Sequence, residues 1–343
     1  MAEINLEDIE FNPTSYELPQ LVDFPQMLIP DDNPITQEGV LLGRMLFFDP
    51  ILSLDSTLAC ASCHDPKIAF TDAQRFSTGV EGGSTNRSSM AIMNVGFNRL
   101  GLFWDGRVKT LEEQALLPVE DEIELHEDWP NVVNKFKRHP DYPRRFRQAF
   151  GITNTSEITK ELATKAIAQF ERTLIVGAGS RYYKNFILEE DFESDEELNG
   201  RLMFFDASRG DLPDAQCFHC HGFPLFTDNE FRNNGLDSVA TLADFEDLGR
   251  GGVTDFAFDN GKFVAPTLWN IELTAPYMHD GRFNTLEEVI DHYASGGHFS
   301  PNRDPLMDSI SLNEQQKMEL VAFLKSLTDT SFVNNPAFQN PFN

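Results

Sequence analysis

Long apolar runs are missing from this 343-residue chain. Nothing approaches the roughly 18 consecutive apolar residues that a membrane-crossing helix needs, so no span is expected. Basic charge is scarce: 27 Lys and Arg stand against 55 Asp and Glu, a net charge of −28. That balance argues against nucleic acid as a partner and in favour of basic ones, although plain solubility would also account for it. Strand signals are few and short, which excludes a sheet-based fold. The N-terminal Met1-Ala2-Glu3-Ile4-Asn5-Leu6-Glu7 has neither a basic region nor an apolar stretch and does not read as a signal peptide. Cysteine is the scarcest informative residue, with four in all. None is left over for a disulfide or a reactive thiol, because all four fall into one repeated pattern.

That pattern is Cys60-Ala61-Ser62-Cys63-His64 and Cys217-Phe218-His219-Cys220-His221. Two thiols one short turn apart reach the two vinyl groups of a porphyrin, and the adjacent imidazole lies under the iron. Zinc pairs usually stand about 15 to 20 residues apart, whereas most of a domain separates Cys63 from Cys217. Redox dithiols need no His after the second Cys. Two covalently bound c-type haems are therefore expected, with His64 and His221 as the near-side ligands.

The motifs sit inside a longer repeat. Gly43-Arg44-Met45-Leu46-Phe47-Phe48-Asp49 returns as Gly200-Arg201-Leu202-Met203-Phe204-Phe205-Asp206, and in both copies the Asp precedes the first Cys by 11 residues. Phe70-Thr71-Asp72 matches Phe226-Thr227-Asp228. Asp105-Gly106-Arg107 with Thr110-Leu111-Glu112-Glu113 matches Asp280-Gly281-Arg282 with Thr285-Leu286-Glu287-Glu288. Each half closes on a helical pattern, Ala166 to Leu174 and Glu319 to Leu327. The expected fold is mostly α, two cytochrome c-like haem domains related by internal duplication, with long irregular loops. The divisions are an N-terminal arm over 1–35, a first haem domain over 36–176, a linker over 177–194, a second haem domain over 195–329 and a tail over 330–343. Capping boxes at Thr110 and Thr285 predict helices that start there.

What each iron meets on its far side decides the chemistry. After Thr285, helical spacing puts Leu286, Val289, Ile290 and Tyr293 on one face. His292 falls on the polar side with Glu288 and Asp291, which makes it a poor ligand. Periodicity alone treats Tyr293 as a core aromatic, with Met278 and His298 as further ligand candidates. Near the first motif, Asp65 to Val80 contains no His or Met. That predicts an open position where a small molecule binds, unless His126 or His139 reaches it from elsewhere. A carboxylate beside such a site would serve proton transfer to and from peroxide. The run Glu120-Asp121-Glu122-Ile123-Glu124 offers four, and spacing does not choose among them.

From Leu42 to Leu324 these residues resemble the bacterial di-haem cytochrome c peroxidase family, and within it the MauG-like branch. The most specific stretches are Cys60 to Asp72, Phe103-Trp104-Asp105-Gly106-Arg107 with Leu111-Glu112-Glu113-Gln114, and Leu273-Thr274-Ala275-Pro276-Tyr277-Met278-His279-Asp280-Gly281. The resemblance implies that the His64 haem meets hydrogen peroxide. It selects Gln114 and Glu124, ten residues apart, as the distal Gln and the acid/base, with Leu125 where the family often has Met. Pro118 would line the pocket, and Trp104 would relay electrons between the haems. The His221 haem would transfer electrons. Tyr293 stands where ordinary members have a Met ligand, as in MauG-like proteins, which reverses the periodicity reading. No His stands where the ordinary enzyme caps its resting peroxidatic haem. The family's calcium site would use the carbonyls of Thr274 and Pro276, but Ser88 occupies the place of its Asn.

By this resemblance the enzyme reduces peroxide with electrons from a small donor, a basic cytochrome c or a copper protein. The alternative is MauG-like oxidation of aromatic residues in a partner protein. A non-catalytic electron-transfer cytochrome and a haem-based sensor are readings of other classes. Bacterial haem attachment to this motif happens outside the cytoplasm, so the expected location is the periplasm, with a leader that this sequence does not show.

Overall fold

The computed structural model describes residues 3–190, 193–206 and 212–342. Residues 1, 2, 191, 192 and 343 of the expected arm, linker and tail, and 207–211 of the second haem domain, lie outside the described residues. The architecture is mostly helical with little sheet. Its longer helices are α1 (Gln37–Phe48), α2 (Trp129–Arg138), α3 (Tyr142–Phe150), α4 (Lys160–Arg172), α5 (Asp195–Phe204), α6 (Leu286–Ser295) and α7 (Glu314–Ser326). The only named strands among the described residues are β1 (Phe231–Arg232) and β2 (Phe263–Val264), an antiparallel pair in which Phe231 faces Val264. None of the helices among the described residues is long and apolar enough to cross a membrane.

The helices begin where side chains can take up orphan amide protons. Thr36 caps α1 by accepting from the Gly39 amide, and Thr285 and Glu288 close a reciprocal box at the start of α6. Thr110 and Glu113 form the same box, yet the helix they open, Leu111–Gln114, lasts one turn, and a second turn follows at Leu117–Glu120 with Pro118 near its start. Pro cannot donate to the preceding turn, which accounts for the break.

Two helix pairs carry the packing. In α1 a Cβ added at Gly43 would stand 1.8 Å from the Ala166 carbonyl oxygen of α4, and one added at Gly200 of α5 would stand 2.0 Å from the Glu319 carbonyl oxygen of α7. Only a residue without a side chain lets either pair approach so closely. Behind each crossing lies a triad of phenylalanines. Phe47 meets Phe170 at 5.3 Å and Phe70 at 6.0 Å; Phe204 meets Phe323 at 4.9 Å and Phe226 at 5.9 Å. Such tilted and edge-on contacts suit the ring quadrupoles.

Replacing Gly43 with Ala is expected to cost about 3 kcal/mol, the upper end of overpacking penalties, since a backbone oxygen and not a flexible side chain blocks the new methyl. Thermal melts of the holoprotein would read this, and an unchanged midpoint would show that the helices separate freely.

The arm runs over the surface. The Leu6 amide donates to the Thr153 carbonyl and the Tyr16 amide to the Ile35 carbonyl, while most arm side chains stay exposed.

Candidate functional site

None of the four Cys is joined in a disulfide. Burial pushes Cys60 and Cys217 up to about 12 and Cys63 and Cys220 up to about 11. Thiols so reluctant to ionise are unsuited to thiolate exchange. Among the described residues no three His, Cys, Asp or Glu converge on a metal-ion position. The His rings are oriented as haem ligands need. His64 Nδ1 donates to the Phe70 carbonyl at 3.0 Å and His221 Nδ1 to the Phe226 carbonyl at 3.2 Å. That leaves Nε2 of each ring as the ligating nitrogen. Burial holds both imidazoles below their ordinary pKa, in the neutral form that binds iron. Phe70 and Phe226 reach this arrangement with φ of 61° and 51°, unusual for aromatic residues; each ring is anchored in its triad. The donor set at both motifs fits covalent haem c.

Glu124 is the member of its acidic run that turns inward. Asp121 and Glu122 are exposed, whereas Glu124 is half-buried. Its backbone is pinned, because the Val80 amide donates to its carbonyl at 2.9 Å and its own amide donates to Asp121 O at 3.1 Å. Burial, helped by the Asp121 charge and opposed by Arg107, pushes its carboxyl up to about 7. The Glu124 charge is felt at both Cys60 and Cys63, which places the carboxyl by the first motif. Gln114 and Pro118 are half-buried on the two short turns beside it, and the Pro118 carbonyl accepts from Leu125 N. His126 and His139 are committed elsewhere: His126 pairs with Glu81 at 2.7 Å, and His139 Nδ1 accepts from the amides of Asp141 and Tyr142.

At the second motif, Asn234 brings two of the candidates together. Its Nδ2 lies 3.4 Å from the Tyr293 hydroxyl and 3.4 Å from Met278 Sδ. Tyr293 is pushed up to about 12 by burial and by the neighbouring Cys220 and Cys217, while Asn234 opposes the shift. His298 is exposed. His292 corrects the helical-wheel expectation. It is buried, and its Nε2 donates to the Asn234 carbonyl at 2.9 Å. The long loop carrying Asn234 covers the side of α6 that a lone wheel would leave to solvent.

Trp104 sits at the seam between the two motifs' surroundings. Its indole N–H donates to Ser88 O at 2.9 Å, and its carbonyl accepts from the Val264 amide. The Ser88 amide donates to His279 O at 2.7 Å and its hydroxyl to Met278 O at 2.8 Å. Arg87 joins Asp105 to Asp247 at 2.7 Å each. The expected calcium donors here are the carbonyls of Thr274 and Pro276, and in the place of the Asn stands Ser88, whose hydroxyl donates to Met278 O. A hard dication wants six to eight oxygens, carboxylates prominent among them.

Three residues escaped the sequence reading. Asn234 lacked any motif. Ser89 donates to Cys63 O at 2.6 Å. Glu171, on α4, is buried with Oε2 unpartnered and is pushed up to about 8 by that burial.

Comparison with known proteins follows the same lines. The profile described as di-haem cytochrome c peroxidase matches residues 37–191. The chain is 31% identical over 331 residues to the methylamine utilization protein MauG of Methylorubrum extorquens, covering 95% of this chain and 87% of that one. It is 34% identical over 312 residues to the cytochrome c551 peroxidase of Nitrosomonas europaea, covering 90% and 84%. Among solved structures, a MauG-like protein associated with microbial copper homeostasis superposes with a TM-score of 0.88 at 35% identity, covering 96% of this chain and 100% of that one. The diheme peroxidase BthA of Burkholderia thailandensis shares the fold, with a TM-score of 0.72 at 20% identity over 96% and 99% of the two chains.

Proposed function

The chain belongs to the di-haem cytochrome c peroxidase family, and from that premise we propose that hydrogen peroxide is reduced at the haem held by Cys60, Cys63 and His64, with electrons entering through the haem held by Cys217, Cys220 and His221. As a family member it is an oxidoreductase of the peroxidase type and carries two covalently bound haem c groups. When bound, the haems supply the one-electron chemistry by which peroxide, two electrons and two protons become two waters. The protein supplies the proton handling. Glu124 accepts the proton of the near peroxide oxygen and returns it to the departing one, while Gln114 and Pro118 confine the substrate. Trp104 would provide the aromatic step across the seam, and Tyr293 would hold the iron of the second haem.

The inward, protonation-poised Glu124 beside the first motif is the observation that carries this reading. A second reading, oxidation of an aromatic side chain in a partner protein, is favoured by Tyr293 beside Asn234 and by the likeness to MauG. Stopped-flow mixing of the fully oxidised protein with peroxide separates the two. A fast, long-lived spectral species supports partner oxidation, and silence until one electron is added supports donor-driven reduction. Silence even then would defeat both.

Internal duplication belongs to the same proposal. Its supports are the paired glycine crossings, the paired phenylalanine triads, and the Leu102–Val108 and Tyr277–Phe283 bridges that close the two Asp-Gly-Arg loops. The domain limits are those expected above, and the location is the periplasm. Since Ser88 closes the seam by direct hydrogen bonds, treatment with a calcium chelator is expected to leave the haem spectrum and peroxide reaction unchanged. Ser88→Ala should lower stability by about 1 kcal/mol, the usual worth of such a bond. Loss of activity on chelation would restore the calcium site.

A further inference from the structure

Residues 252–258 are exposed without a break, and the segment is apolar where it protrudes. Phe256 is 60% exposed, Phe258 49%, and Leu248 and Val253 about 40% each. The two phenylalanine rings lie 6.4 Å apart. Contiguous exposed apolar surface of this kind marks interaction sites. The segment is well ordered by its own bonds: the Thr254 hydroxyl donates to Asp259 at 3.0 Å, and the Asp259 amide donates to Phe256 O at 2.8 Å.

Its base leads inward. Asn302 Nδ2 donates to Phe258 O at 2.9 Å and to Asn260 O at 2.7 Å, and Asn233 Nδ2 donates to Asn302 Oδ1 at 2.8 Å. Asn302 is 4% exposed and Asn233 2%. The next residue, Asn234, reaches the Tyr293 hydroxyl. Hydrogen bonds and one peptide link thus join the exposed phenylalanines to the far side of the second haem motif.

The surroundings are acidic. Asp244, Glu246 and Asp255 are exposed, while the two cations here are turned to other partners: Lys262 is held by Asp259 at 2.9 Å and lies over the Phe258 ring, and Arg250 donates to the Asp105 and Gly106 carbonyls and lies over the Phe231 ring. A second copy docking through the same face would bring like charges together. A basic partner would not.

We propose that Leu248, Val253, Phe256 and Phe258 form the docking surface for a small redox protein whose apolar contact patch is ringed by lysine and arginine, and that the Asn302, Asn233 and Asn234 contacts couple it to Tyr293. The proposal rests on the peroxidase reading above and names its partner. Each encounter oxidises the partner by one electron; two encounters and two protons convert one peroxide to two waters.

The test uses the holoprotein and a reduced, basic mitochondrial-type cytochrome c as probe, with affinity read by surface plasmon resonance across a salt series. Phe256→Ser with Phe258→Ser is expected to weaken binding by about tenfold or more, as loss of buried aromatic anchors does. Asp255→Lys should weaken it less and flatten its salt dependence. Peroxide-driven oxidation of a small dye donor should be unchanged in every variant. Equal binding by wild type and the double variant, or no binding by wild type at low salt, would overturn the proposal. So would a wild-type dimer that the double variant makes monomeric. If the probe binds in a phenylalanine-dependent manner but no donor is oxidised, the surface stands and the peroxidase reading falls.

Discussion

Replacing Glu124 with Gln is expected to slow the reaction with peroxide by about 10²- to 10⁴-fold, the usual worth of a positioned general base. Gln keeps the shape and loses the lone function at issue, since an amide cannot accept and return the proton. The pH dependence follows from the same residue. Burial raises the carboxyl to about 7, and only the ionised form can take a proton. The wild-type rate should therefore climb as pH rises through about 7 and level off above it, while the Gln variant stays low and flat. Stability supplies the control. A carboxyl whose folded pKa lies above its unfolded value loses stability as pH rises from the ordinary carboxylate range to about 7. At pH 8 the Gln variant, which has no charge to bury, should melt no lower than wild type. A variant with intact melting and a wild-type rate would remove Glu124 from the chemistry.

The haem-binding segments were legible because covalent attachment demands a fixed local pattern, a requirement met within a few residues. The repeated stretch contains Gly43 and Gly200, but that they lie at helix crossings emerges only from the packing. Choosing Glu124 from its run needed more, since whether a carboxylate turns inward depends on Val80 and Leu125 holding its backbone. Asn234 could not be found at all. It belongs to an irregular loop without period, and its importance comes from contacts with Met278, Tyr293 and His292 on other elements. His292 was misplaced for the same reason: helical periodicity assumes one buried face, and a covering loop gives α6 a second. The single-turn helix after Thr110 was readable in retrospect, from Pro118.

The second large effect concerns Tyr293. Two candidate ligand atoms stand equally far from one amide, the Tyr293 hydroxyl and Met278 Sδ, so position alone leaves the choice to chemistry. Burial raises the phenol to about 12, which opposes the phenolate that iron would bind. A bound ferric iron would supply the opposing positive charge, and Asn234 donates a hydrogen bond that a phenolate accepts better than a phenol. Phenolate ligation holds the iron in its oxidised forms, whereas thioether ligation raises the potential. Tyr293→Phe is therefore expected to raise the potential of the second haem by on the order of 0.1 V or more, within the roughly 0.8 V that axial ligands command. It should also abolish any long-lived species formed by peroxide on the oxidised protein. Met278→Leu should change neither. Potentiometric titration of both variants decides the matter: a shift in the Leu variant with none in the Phe variant would make Met278 the ligand, and the chain an ordinary donor-driven peroxidase in its second half.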